Sequence, residues 1–226
     1  MLADFHVHTV LSDGTLTPIE AGRRLAHNGF KVVAFADHVG FGSMERIITE
    51  VKRDCDILTE EFGIVALPGV ELTHVPPSRI CTLAKKAKEM GAKIVVVHGE
   101  TLVEPVPGGT NDAALACGYV DILAHPGIIS HEQVELAKKN NVFLEITSRQ
   151  GHCLANGHVV SVCREVGALS LLIVNSDTHS SADILTDKKI VQVALGAGLR
   201  SNETNMVLRE NVLLLLRKLG INLLEV

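Results

Sequence analysis

The chain has 226 residues, of which 46% are hydrophobic, 21% are charged and 3% are aromatic, and its formal net charge is −5. This composition is ordinary for a globular protein with one sizeable core, so a single domain over residues 1–226 is the simplest expectation. The acidic balance and the scarcity of aromatic rings disfavour a surface that tracks a phosphate backbone and a platform that stacks bases.

Five cysteines are scattered along the chain without a CxxC pair, at positions 55, 81, 117, 153 and 163. Because their number is odd and their spacing irregular, the sequence favours buried reduced thiols over a disulfide framework or a thiolate zinc site. The N-terminus shows no basic stretch followed by an apolar one, and no apolar run approaches the ~20 residues of a membrane span. We therefore expect a cytoplasmic protein without a membrane partner.

Short apolar runs alternate with longer amphipathic segments along the chain. The runs lie at about 2–8, 32–37, 65–72, 93–98, 121–125, 142–146 and 170–176. Three of them, at 32–36, 94–97 and 171–174, are nearly continuous, as in strands buried on both faces. Predicted helices cover about 18–28, 43–62, 78–90, 131–140 and 156–166, and residues 99–111 are predicted to be a loop. From residue 180 the pattern predicts two helices that break near Gly196. This alternation indicates an α/β fold with a parallel sheet.

Every predicted strand ends with a residue that can bind a metal. These residues are His6 and His8, Asp37 and His38, Glu71, His98, His125, Glu145, and Asp177 with His179. In a parallel α/β barrel, the C-terminal ends of the strands form the face where active sites are assembled. Unpaired buried charges would cost several kcal/mol each against a total stability of ~5–15 kcal/mol, and divalent cations are the natural compensation. Histidine and carboxylate ligands without thiolate suit zinc, manganese or iron.

The remaining histidines are expected to play lesser parts. His27, His131 and His158 lie on predicted helices and are expected to have structural or solvent-exposed roles. His74 and His152 follow predicted strands on the functional side of the barrel, so they are candidates for lining the pocket.

Seven short motifs follow one another between residue 2 and about residue 180. They are His6-Val7-His8-Thr9, Ser12-Asp13-Gly14, Ala36-Asp37-His38, Pro68-Gly69-Val70-Glu71, Val97-His98, His125-Pro126-Gly127 and Ser176-Asp177-Thr178-His179. In this order they resemble the polymerase and histidinol phosphatase (PHP) family. The resemblance implies a distorted seven-stranded (β/α) barrel over about 1–180, which agrees with the independent strand count. The C-terminal helices would cover about 180–226.

The resemblance also implies a centre of two to three divalent metals. The first would be bound by His6, His8 and Asp177, and Glu71 would bridge the first metal and the second. His98 and His125 would complete the second site. Asp13, His38 and His179 would hold the third, although Ser-Asp-Gly is also a good turn sequence.

We predict that the chain hydrolyses a small phosphate ester with a metal-activated water as nucleophile. PHP activities include histidinol-phosphate phosphatase, other phosphoesterases and proofreading exonucleases, and the motifs do not separate them. One alternative is therefore a 3′-5′ exonuclease or another nuclease acting on nucleic-acid ends, which the net charge of −5 disfavours. Another is a non-catalytic module in which metals brace an interaction surface, which the complete ligand set disfavours.

Arg149 follows the sixth predicted strand at the rim of the expected site. A guanidinium there could clamp a substrate phosphate through two parallel hydrogen bonds, so Arg149 is the predicted substrate-binding residue. The alternatives are a solvated surface arginine and a salt bridge to Glu145.

Overall fold

Parallel strands form one sheet in the computed structural model, which describes residues 1–222. The strands are β1 (Leu2–Val7), β2 (Phe30–Phe35), β3 (His38–Val39), β4 (Val65–Leu72), β5 (Ile94–His98), β6 (Ile122–Ala124), β7 (Phe143–Thr147) and β8 (Leu172–Asn175). Seven of them lie side by side in chain order, from β1 and β2 through β4 to β8. The two-residue β3 is not part of this series and pairs with β4.

The first and last strands meet and nearly close the sheet into a barrel. The amide of His8 donates to the carbonyl of Thr178 at 2.8 Å, and the amide of Thr178 donates to the carbonyl of His6 at 3.3 Å. Val7 and Thr178 thereby form a parallel bridge just beyond the end of β8. The expected distorted seven-stranded (β/α) barrel is confirmed, with β3 as a short addition.

Helices surround the barrel. They are α1 (Pro18–His27), α2 (Met44–Phe62), α3 (Pro77–Glu89), α4 (Thr110–Leu115), α5 (His131–Asn140), α6 (Asn156–Val166), α7 (Asp187–Gly196), α8 (Ser201–Asn205) and α9 (Asn211–Lys218). Thr17 and Ser130 cap α1 and α5 by accepting from backbone amides, which explains why these helices begin where the sequence predicted. Helix α4 was not predicted, because six residues are too few to show a helical period.

The core has two layers. Inside the barrel, the first halves of the strands pack together through residues such as Phe5, Val32 and Phe143. Val212 and Leu215 of α9 belong to this same inner cluster, so α9 closes the N-terminal end of the barrel. The outer layer joins the strands to the surrounding helices. The opposite, C-terminal end of the barrel carries the strand ends and the predicted ligands.

The predicted break near Gly196 is present, but the first C-terminal helix begins at Asp187 and not at residue 180. Helix α7 ends at Gly196, and a turn of π-helix over Met206–Glu210 joins α8 to α9. Residues 223–226 of the predicted C-terminal helices lie outside the described residues. Within residues 1–222, no helix combines the length and the apolar character needed to cross a bilayer.

Cys81 and Cys117 form a disulfide, so the expectation of reduced thiols is wrong for this pair. Cys81 lies on α3 and Cys117 follows α4, and their Cα atoms are 5.3 Å apart, a separation that a disulfide spans readily. The two residues are 36 positions apart in sequence, so only the packing of α3 beside α4 reveals the pairing. Cys55 and Cys163 are buried free thiols, as expected.

Candidate metal centre

A bulge in β1 turns two histidines toward the barrel axis. Asp4 is opposite Val33 and Val7 is opposite Phe35, so β1 holds one residue more than β2 between these pairs. Phe5 faces the inner core, whereas Val7 packs in the outer layer. His6 and His8 consequently point together into the C-terminal mouth, where both are buried.

Asp4 supports this bulge from within the barrel. Its Oδ1 accepts from the backbone amides of His6 and Ser176, both at 3.2 Å. Burial raises the pKa of the Asp4 carboxyl to about 6, with these hydrogen bonds opposing the shift.

All nine predicted ligands converge on the C-terminal end of the barrel, where they form four overlapping groups. Within each group, one ligand atom per residue lies within 4.8 Å of the others, and the groups are His6, His8 and Asp177; His6, Glu71 and His125; His8, Asp13, His38 and His179; and His98, His125 and His152. The first group is the set that the PHP resemblance implies for the first metal, and the third contains the implied Asp13, His38 and His179 together with His8. In the remaining two, Glu71 joins His6 and His125, and His152 joins the pair expected at the second metal.

The loop that carries Asp13 is held in place by Asp37. The Asp37 carboxylate accepts from the amide of Thr9 at 2.7 Å, from its hydroxyl at 2.8 Å and from the hydroxyl of Ser12 at 2.6 Å. Gly14 lies so close to β1 that a Cβ atom there would be 2.7 Å from the carbonyl of His8, so this turn requires glycine. Asp37 therefore positions the loop and does not enter the cluster itself.

The short strand β3 places His38 beside Glu71. Their backbones are in register, and His38 Nδ1 lies 2.6 Å from Glu71 Oε2. His38 Nε2 then faces Asp13 Oδ2 at 3.6 Å. The second predicted strand thus stops at Phe35, and His38 reaches the site from a separate element.

Hydrogen bonds at Nδ1 orient several of the histidine rings. His6 Nδ1 lies 2.8 Å from Glu145, His152 Nδ1 lies 2.8 Å from the Thr101 hydroxyl, and His179 Nδ1 lies 3.0 Å from the Asp177 carbonyl. In each case the other ring nitrogen, Nε2, is left to face the cluster. Such contacts fix the tautomer and orientation of histidines that bind metals.

A divalent cation fits the polar atoms that the protein leaves without partners. The buried atoms Glu71 Oε1, Asp177 Oδ1, His8 Nδ1 and His125 Nδ1 have no hydrogen-bond partner. The Nε2 atoms of His6 and His8 lie 3.0 Å apart, and His8 Nε2 is 3.3 Å from Asp177 Oδ1. Unpartnered buried groups cost roughly 1–3 kcal/mol each, and more when charged. A cation among them would remove that cost, so the donor set fits the implied metals.

The pKa values of the cluster are strongly displaced. Burial would raise the pKa of Glu71 and of Asp177, but the charges of His6 and neighbouring histidines lower both well below the ordinary range. Burial and the neighbouring His98 hold the pKa of His125 well below its usual value. Ionised carboxylates and a neutral imidazole are the protonation states that bind metals.

Backbone strain is concentrated at this mouth. Among non-glycine residues of 1–222, positive φ angles occur at His74, His125, Asn141 and Asp177, with values of 51°, 28°, 54° and 54°. Asn141 ends helix α5, but the other three belong to or border the cluster. Residues other than glycine adopt this region at a cost of order 1–3 kcal/mol, and such outliers collect at functional sites.

A small polar cavity of about 70 Å³ opens onto the cluster. It is lined by Asp13, His38, His98, Glu104, His125, Arg149, His152, Asp177 and His179. A larger pocket of about 380 Å³ adjoins it, and its lining includes Ser148, Arg149, Asp183, Lys189 and Gln192. Arg149 lies on the wall shared by the two cavities.

Arg149 is half-buried and pairs with Asp183, with 3.5 Å between Nη1 and Oδ2. The expected alternative of a salt bridge to Glu145 is wrong, because Glu145 is committed to His6 and Asn175. Binding of substrate by Arg149 stays a prediction.

Two side chains at the site, Glu104 and Glu145, were not among the predicted ligands. Glu104 lies in the loop between β5 and α4, where neither a strand end nor a motif marks it. Glu145 ends a predicted strand, but its contact with His6 across the barrel depends on the fold. His131 and His158 have the structural roles expected of them, pairing with Glu165 at 2.8 Å and with the carbonyl of Ile129 at 2.7 Å.

The fold and the cluster together define a PHP-type barrel with a candidate metal centre. The chain is 46% identical over 204 residues to the uncharacterized protein MJ1295 of Methanocaldococcus jannaschii, an alignment that covers 90% of this chain and 93% of that protein. This chain therefore belongs to the same protein family as MJ1295. No model of a known protein family matches it.

Solved structures share the barrel at low sequence identity. A histidinol phosphate phosphatase from Lactococcus lactis subsp. lactis, complexed with zinc, L-histidinol and phosphate, matches with a TM-score of 0.55 and 12% identity, over 98% of this chain and 94% of that one. A beta-aspartyl dipeptidase from Fervidobacterium islandicum matches with a TM-score of 0.60 and 15% identity, over 97% and 74%. The expected PHP-type fold is confirmed by the first of these likenesses.

Proposed function

We propose that this chain is a metal-dependent hydrolase that cleaves a small phosphate ester. The observation that carries the proposal is the convergence of histidine and carboxylate side chains around a small cavity that also contains Arg149. The shared fold of the Lactococcus phosphatase, which was solved with zinc and phosphate, supports it.

The proposed centre holds two to three divalent ions of zinc, manganese or iron. Its proposed ligands are His6, His8, Asp13, His38, Glu71, His98, His125, Asp177 and His179. When bound, such ions lower the pKa of a coordinated water toward neutrality and offset negative charge on a phosphoryl group.

The side chains around the centre would bind and orient the substrate. The small cavity suits a compact anionic group such as a phosphoryl group, and Arg149 on its wall would fix the orientation of that group. The alcohol part of the ester would occupy the adjoining pocket of about 380 Å³, which Arg149 also lines. This arrangement favours a small phosphorylated substrate over a nucleic acid.

A panel of substrates tests the proposal. Metal-free protein would be assayed with p-nitrophenyl phosphate, bis-p-nitrophenyl phosphate, a single-stranded oligonucleotide and a β-aspartyl dipeptide, each with and without Mn²⁺ or Zn²⁺. We expect metal-dependent cleavage of the monoester, which Asp177→Asn abolishes. Glu135→Gln, a change at an exposed carboxylate of α5, is the matched control.

Other outcomes of the panel would overturn the proposal. Cleavage of the oligonucleotide without cleavage of the monoester would identify a nuclease. Cleavage of the dipeptide alone would place the chemistry with peptide bonds. Metal binding without turnover of any phosphate ester would favour a metal-braced interaction module.

A further inference from the structure

His152 and Glu104 lie against the centre although neither belongs to the PHP motifs. His152 follows β7 in a short 3₁₀ turn, and Glu104 lies on the loop between β5 and α4. His98, His125 and His152 each offer a ligand atom within 4.8 Å of the others. The His152 ring stacks on His125, with 4.2 Å between ring centroids. His152 thus extends the pair expected at the second metal.

Glu104 closes this group from the solvent side. Its Oε1 lies 3.3 Å from His152 Nε2, and its Oε2 lies 3.3 Å from His98 Nε2. His74 Nε2 is 3.5 Å from the same Oε2 and flanks the carboxylate. One carboxylate therefore spans the two nitrogens that would face a metal.

The ring orientations are those expected of metal ligands. His152 Nδ1 contacts the Thr101 hydroxyl at 2.8 Å, and His98 Nδ1 contacts the carbonyl of Gly99 at 3.2 Å. Both contacts leave Nε2 directed toward Glu104. An imidazole that binds a metal through one nitrogen almost always has its other nitrogen held in this way.

The loop and the turn are packed against each other, so the group is built into the fold. Gly151, next to His152, lies under Val103, where an added Cβ would be 3.2 Å from Val103 Cγ1. Thr101, Val103 and Glu104 thus all contact the segment that carries His152.

We propose that His152 and Glu104 are ligands of the metal that His98 and His125 hold. This inference rests on the metal centre of the proposed function and adds two residues to it. Beside the bridging Glu71, these residues would supply three imidazole nitrogens and one carboxylate oxygen, the nitrogen and oxygen donors that zinc binds. The ion would be tied to the loop of Glu104 as well as to the barrel strands.

Metal titration of the full chain tests this assignment. Zn²⁺ and Co²⁺ would be titrated into metal-free wild type, His152→Ala, Glu104→Gln and the double variant in competition with a chelator. His131→Ala, at an exposed histidine outside the cluster, is the matched control. We expect each single variant to weaken one ion by at least about ten-fold while the other ions bind as in wild type. The visible absorption of bound Co²⁺ should change in the variants, because water replaces a lost ligand.

The outcomes separate this inference from the proposed function. Wild-type affinity and Co²⁺ spectrum in both variants, with wild type binding metal and cleaving the monoester, would overturn only the assignment of His152 and Glu104. A wild type that binds neither Zn²⁺ nor Co²⁺ would overturn the metal centre as a whole. If His152→Ala fails to fold, Glu104→Gln decides alone, because 39% of the Glu104 side chain is exposed and its loss leaves the core intact.

Discussion

Glu145 accepts a hydrogen bond from His6 Nδ1 at 2.8 Å, and both side chains are completely buried. Asn175 donates a second hydrogen bond to the same carboxylate oxygen at 2.8 Å. Burial opposes protonation of His6, but Glu145, Asp177 and Glu71 outweigh it and raise the pKa of the imidazole well above its ordinary value. Glu145 therefore orients a proposed metal ligand and increases its basicity.

Changing Glu145 should weaken metal binding without removing a ligand. Glu145→Gln keeps an acceptor for His6 Nδ1 but loses the charge, so we expect metal affinity to fall roughly ten-fold. Glu145→Ala loses both the acceptor and the charge, so we expect its metal affinity to be about 100-fold lower than that of wild type. Chelator competition would measure both affinities, with Glu135→Gln as the control. Unchanged affinity in the alanine variant would rule out this positioning role.

The sequence revealed the candidate ligands because their chemistry is local to the strand ends. An apolar run followed by histidine or a carboxylate, as at Val97-His98 and Val70-Glu71, fixes both the strand and the face on which the ligand lies. In a parallel barrel the C-terminal ends of the strands lie at the same face, independently of how the surrounding helices pack.

Other features depend on packing between elements that are distant in sequence. The contact of His6 with Glu145 spans 139 residues, and the Cys81–Cys117 disulfide requires α3 to lie beside α4. Glu104 lies in a loop whose path follows from its contacts with Gly151 and His152. None of these has a periodic signal that a single sequence could show.

Glu71 contacts two candidate groups at once. Its Oε2 pairs with His38 at 2.6 Å, and its Oε1 lies 3.4 Å from His6 Nε2 and 3.7 Å from His125 Nε2. Glu71→Gln retains the shape but removes the charge between them, so we expect loss of hydrolysis and of at least one bound metal. The apolar core is separate from this residue, and circular dichroism should show a retained fold. Wild-type turnover at saturating metal would contradict the bridging role.

Glu203 gives a pH dependence that is independent of the metal centre. Hydrogen bonds from Arg164, chiefly, and from the amide of Arg200 lower the pKa of Glu203 from 4.5 to about 2. A carboxyl with a depressed folded-state pKa stabilises the fold fully above its unfolded pKa, and this contribution disappears as the pH falls from about 4.5 to about 2.

Glu203→Gln should therefore lower the free energy of unfolding by about 1–2 kcal/mol at neutral pH, allowing for the partial exposure of Arg164. The difference from wild type should shrink below about pH 4.5 and vanish near pH 2. Urea denaturation of the metal-free proteins across this range would measure it. Glu210→Gln, at an exposed site in the same part of the chain, should show no such trend. A difference that is constant with pH would mean that the Glu203 charge does not contribute.

Variants of Arg149 should change the binding of a substrate phosphate without changing the binding of metal. Its guanidinium lies on the wall shared by the small cavity and the larger pocket, and Asp183 competes for it at 3.5 Å. A lysine keeps the charge but loses the planar pair of donors that matches two phosphate oxygens. We expect Arg149→Lys to lower kcat/KM for a phosphomonoester by roughly ten-fold or more, which corresponds to about 1.4 kcal/mol, with Arg149→Ala lower still.

Metal content should stay at the wild-type level in both, and Arg79→Lys on the exposed surface of α3 should behave as wild type. If the sole role of Arg149 were to pair with Asp183, then Asp183→Asn would reproduce the kinetic defect of the arginine variants. Wild-type kcat/KM in both arginine variants would show that Arg149 does not contact the phosphate.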